Sequence, residues 1–120
     1  QASRALRTRF VATRGRSRAL AEPLSDADAS VQSMPDASPA KWHLAHTTWF
    51  LESFVLRDLT VGYRAFDPAF AYLFNSYYEG EGARHPRDRR GMLTRPSTGV
   101  PLSMRRFWRL GTRCRRRPMR

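Results

Sequence analysis

The sequence contains a single cysteine, Cys114, and a single lysine, Lys41. One cysteine excludes an internal disulfide framework and fits a reducing compartment. With one lysine, nearly all of the basic charge is arginine, as expected of a GC-rich gene. No apolar run approaches the roughly 18 residues of a membrane span, and the opening "QASRALRTRF" lacks the apolar stretch and small-residue cleavage site of a secretory signal. The expectation is a cytoplasmic protein with no membrane partner. The chain opens on Gln1 rather than methionine, so its natural start is expected to lie upstream. Acidic residues are also scarce, 10 against 22 basic, for a formal net charge of +12. At 120 residues the chain suffices for one modest domain with a single core.

The charge is unevenly spread. From Gly99 to Arg120 there are eight arginines and no acid; without them the balance is 14 basic against 10 acidic. The excess therefore belongs to a tail and not to the body of the chain. Such a tail reads either as a nucleic-acid-binding arm or as a non-native terminus.

The pattern of the body is helical. Leu6, Phe10, Thr13, Ser17 and Leu20 recur at helical spacing across residues 3–21, with Gly15 as an interruption and Pro23 as the stop. "SDAD" offers Ser25 as a cap and Asp28 three residues on, a capping box opening a short helix over 25–33. Ser38-Pro39 is the strongest start signal, a cap followed by proline in the first turn, and predicts a third helix over 39–59. Its apolar residues nearly encircle the wheel, which predicts the most buried element. "TVGYRAFDP" reads as a loop, "AFAYLFNSYY" as a helix, and "EGEGARHPRDRRG" as a charged surface loop. "LTRPST" looks like the start of a further helix that Gly99 and Pro101 then spoil.

The third helix carries "KWHLAHTTWF". Trp42, His46, Trp49, Ser53 and Leu56 share one stripe, so His46 faces inward between two indoles and His43 lies nearer the flank. A lone histidine on an apolar face is more often a core residue than a ligand. Two histidines at i and i+3 are also a loose metal signature. The third histidine, His85, lies in the charged loop. Periodicity and spacing leave the question there.

"SPAKWHLAHTTWF" and "LFNSYYEGEGARHPRDRRG", with the helix that precedes them, resemble the N-terminal part of the hercynine oxygenases. These are the EgtB-type sulfoxide synthases of ergothioneine biosynthesis. The resemblance runs from about Leu6 to Pro96. It implies an all-α fold, a DinB-like four-helix bundle, and an iron(II) cofactor held by three histidines. The ligand in the family's W-x-L-A-H segment corresponds to His46. The other two belong to an H-x-x-x-H motif that this sequence does not contain, so the isolated chain is expected to be inactive and not to hold iron stably. Arg87 and Arg90 correspond to loop arginines that bind substrate carboxylates in some members. The implied partners are hercynine, O2 and a cysteine-type thiol such as gamma-glutamylcysteine. No residue of this chain corresponds to the family's catalytic proton donor.

After Pro96 the resemblance breaks into arginine-rich text, which a shifted reading frame would produce. The expected organisation is an incomplete DinB-like bundle over 1–96, followed by an irregular, non-native tail over 97–120. Two alternatives stand beside this reading. One is a DinB-like metal-dependent thiol transferase, and the other is a basic nucleic-acid-binding module acting through the tail.

Overall fold

The computed structural model describes residues 2–93, so the expectations for "LTRPST" and for the tail over 97–120 lie outside the described residues. Within them the fold is all-α. The first helix, α1, spans Ala2–Ala21 and passes straight through Gly15. One glycine costs a helix about 1 kcal/mol relative to alanine, and the alanines and arginines around it are strong helix formers.

The second helix, α2, spans Asp26–Ser30 and is capped as the sequence predicts. Ser25 Oγ accepts from the Asp28 amide at 3.1 Å, and the Asp28 carboxylate accepts from the Ser25 amide at 3.3 Å. It ends at Ser30, earlier than expected, because Val31 turns to extended backbone.

The helix α3 spans Ala40–Leu51, continues through a π-helical turn over Glu52–Leu56, and closes as α4, Arg57–Leu59. Together they fill the predicted 39–59 span. Ser38 does not cap it. Pro39 holds the cap position without a side-chain bond, while Ser38 Oγ accepts from Arg90 Nη1 at 2.7 Å. A buried guanidinium has taken the hydroxyl that the helix would have used.

The buried face is broader than the predicted stripe. Trp42, Ala45, Thr48, Trp49, Glu52 and Ser53 are buried, so adjacent residues 52 and 53 both face inward. Both lie on the face of Trp49, three and four positions on. Glu52 there accepts from the Tyr63 hydroxyl and from the Phe66 amide at 3.0 Å, which fastens the loop after α4 to the helix.

The last helix, α5, spans Phe70–Phe74. Phe70 and Phe74 complete a core with Trp42, Ala45 and Trp49, and Leu73, Tyr78 and Leu93 pack against it. The "EGEGARHPRDRRG" segment is more ordered than a surface loop. It forms 3-10 turns over Glu79–Glu81 and Arg87–Met92, and the second turn buries Arg90. Among the described residues no helix is long and apolar enough to cross a membrane.

Candidate metal and substrate site

The site begins where α5 ends. A helix of five residues leaves its last carbonyls without intrahelical partners. Two are taken by side chains of α3: Trp42 Nε1 donates to the Leu73 carbonyl at 3.0 Å, and His46 Nδ1 donates to the Phe74 carbonyl at 2.6 Å. A carbonyl only accepts, so Nδ1 carries the proton and Nε2 is left as the lone-pair nitrogen. No sequence signal pointed to the group that holds the imidazole. Phe74 acts here through its backbone, and no residue type signals that.

His46 is half-buried. Its ring stacks on Trp42 with centroids 4.7 Å apart and planes 8° from parallel, and Trp49 lies 5.8 Å away. The inward position between two indoles is thus observed. Burial lowers its pKa; the Phe74 carbonyl opposes that shift, and His43 and Arg90 add to it. The result favours the neutral imidazole, the form that ligates metals.

His43 sits differently. It is exposed, sits edge-on to Trp42 at 5.4 Å, and contacts the Ser38 backbone. His85 lies elsewhere, edge-on to Tyr72 at 5.9 Å, with Nδ1 3.0 Å from the Pro86 carbonyl. Among the described residues no three His, Cys, Asp or Glu side chains gather as a metal site. The donor chemistry of His46 fits one ligand, but these residues do not close a coordination set.

The two arginines are not equivalent. Arg87 is exposed and spends Nη2 on the Asp36 carbonyl at 2.7 Å. Arg90 is 6% exposed and lies over Trp42, 3.7 Å from guanidinium carbon to ring centroid. It borders a cavity of about 370 Å3 that Trp42, Tyr72, Leu73 and Phe74 also line. Burial lowers its pKa, and Arg87 and Arg84 lower it further by like-charge repulsion. Arg90 and His46 therefore share Trp42 as a common wall. A solvated charged loop describes Arg87 but not Arg90.

"LFNSYY" acts mainly as scaffold. Asn75 is fully buried and bonds both backbone groups of Tyr78, at 2.8 and 2.9 Å. Tyr78 packs among Trp49, Phe50 and Phe54, and Tyr77 stacks on it from outside. Gln32, whose contacts with the Arg87–Met92 turn are described below, carried no sequence signal.

A search of curated proteins finds no match. The sequence model of the DinB superfamily matches residues 9–109, which takes in every helix described except the first turns of α1. On that match the chain belongs to the DinB superfamily.

Proposed function

We propose that this chain is the DinB-like portion of an iron(II)- and O2-dependent hercynine oxygenase, which joins a cysteine-type thiol to hercynine in ergothioneine biosynthesis. One observation carries the reading. The two segments on which the resemblance rests meet at the imidazole itself: His46 Nδ1 in "WHLAH" donates to the Phe74 carbonyl in "LFNSYY" at 2.6 Å. Metal-binding imidazoles are typically oriented by such an acceptor on their other nitrogen. His46 is then one iron ligand, held by two packed helices rather than by a loop. The redox chemistry requires the complete ligand set. This chain's own contribution is an oriented neutral imidazole and, against the same Trp42 ring, a guanidinium suited to a thiol substrate's carboxylate, as in gamma-glutamylcysteine. Arg90 borders the cavity, while Arg87 is exposed on the same turn. The compartment we assign is the cytoplasm.

The test uses a longer chain that carries the family's H-x-x-x-H pair. His46→Ala should abolish ferrous iron binding and sulfoxide formation, while His43→Ala should leave most of both. Arg90→Ala should raise KM for the thiol more than KM for hercynine, and Arg87→Ala should do so more weakly. The 120-residue chain alone should hold no stoichiometric ferrous iron. Tight iron binding by that chain, lost in His43→Ala and in His85→Ala, would sink the assignment. It would favour the second reading, a complete DinB-like thiol transferase, for which the superfamily match is the support.

A further inference from the structure

Arg90 is poorly held by its own side chain. Nη1 donates to Ser38 Oγ, but Nε is buried with no acceptor in reach. A buried, incompletely paired guanidinium is costly to maintain, so something other than its own hydrogen bonds must keep it over Trp42.

The backbone on either side of Arg90 is clamped by one residue. Gln32 Nε2 donates to the Arg87 carbonyl at 2.7 Å and more loosely to the Pro35 carbonyl at 3.3 Å. Its Oε1 accepts from the Gly91 amide at 2.8 Å. The two contacts with the turn bracket Arg90 along the chain. The fit is also steric: a Cβ on Gly91 would stand 2.9 Å from Gln32 Cβ, closer than side chains pack, so the turn approaches Gln32 as only glycine can. Arg87 adds its bond to the Asp36 carbonyl. Residues 32–38 and 87–91 thus form one docked unit, whose far end leads into the helix that carries His46.

We propose that Gln32 is a positioning residue for Arg90: its amide fixes the Arg87–Gly91 backbone so that the guanidinium stays over Trp42, beside the cavity. The link to catalysis rests on the reading that Arg90 binds the thiol's carboxylate; the positioning itself does not. A glutamine suits the task because one planar amide both donates and accepts, and so holds a carbonyl and an amide of the same turn.

The test follows Arg90 by NMR in the 120-residue chain and then titrates gamma-glutamylcysteine. Over the indole face, the Arg90 side-chain protons should resonate upfield of free arginine. Gln32→Ala should return them more than halfway to the free value, with the His46 and Trp49 signals in place. Gln32→Glu keeps the acceptor for Gly91 and should fall between. Binding of gamma-glutamylcysteine should weaken about tenfold in Gln32→Ala, the worth of roughly one hydrogen bond, and should be lost in Arg90→Ala. Unchanged Arg90 shifts in Gln32→Ala overturn the proposal whatever the thiol does. Shifts that move while Arg90→Ala leaves thiol binding intact support the positioning and sink the carboxylate reading instead. Loss of the folded spectrum in both Gln32 variants makes Gln32 a residue of the fold at large, and also overturns the proposal.

Discussion

The helices α1 and α3 are both legible in the sequence but behave very differently as structure. Both carry apolar residues at helical spacing. Yet α1, with 20 residues, buries none of them, while α3 buries four of its 12. Leu6 and Leu20 are 69% and 76% exposed, whereas Trp42 and Trp49 are 4% and 3% exposed. The difference lies in what each helix meets. Opposite α3 stands α5, which brings two phenylalanines and two unpaired carbonyls that match the indole and imidazole donors of α3. The side-chain bonds α1 brings to α3 come from Arg14, whose guanidinium reaches the hydroxyls of Thr47 and Thr48. A periodic apolar stripe is therefore an offer of burial, and a partner has to accept it. The apolar residues α1 leaves exposed, with Leu59, Val61 and Met92, make up surface of the kind that monomers seldom expose in quantity.

Truncating one residue on each helix tests the contrast most severely. Trp49→Ala removes a buried indole that touches His46, Phe54 and Tyr78. It should cost about 3–5 kcal/mol, a large share of a small domain's stability. Leu6→Ala should stay within about 0.5 kcal/mol, as exposed substitutions do. Denaturant midpoints for the two variants measure the difference, and equal losses would mean that α1 is packed after all.

A middle-sized effect belongs to the tie between the helices. Arg14→Ala leaves Thr47 and Thr48 with their bonds to α3 carbonyls, so α3 should keep its hydrogen-exchange protection. The α1 amides should lose theirs, with a global cost of about 1 kcal/mol, typical of a side-chain hydrogen-bond pair. Equal protection of α1 in both proteins would show that something besides Arg14 holds it.

How far the sequence disclosed this arrangement depends on whether the signal was local. The helices over 3–21 and 39–59, the Ser25 capping box and the inward face of His46 follow from spacing and capping chemistry within a few residues. Three features did not show. The π-turn over Glu52–Leu56 was hidden because an extra residue per turn has no composition, although Glu52 itself lies three positions after Trp49 on the same stripe. Ser38 looked like a cap because nothing local revealed a competing guanidinium 52 residues away. The acceptor for His46 is a backbone carbonyl, which every residue possesses. Among the described residues the site is thus assembled by long-range hydrogen bonds between main chain and side chains, and motif reading recovers one half of each.

The smallest expected effect separates the two helices by pH. All three histidines of the chain lie outside α1. On α3, burial lowers the pKa of both His43 and His46 from the ordinary 6.5. The unfolded chain therefore binds more protons than the folded one once the pH drops below about 6.5, and stability falls as acid is added. The contribution is fully present above 6.5 and is lost as the pH falls toward the lower folded values. In metal-free protein, Tm should decline between pH 7.5 and 5, and α3 amides should lose protection before any specific change in α1. His46→Asn keeps a donor near the Nδ1 position for the Phe74 carbonyl but cannot titrate, so its Tm should decline less steeply over the same interval. A variant whose pH profile overlays the parent's would show that His46 is not the group whose burial acid undoes, and would leave His43 as the source of the dependence.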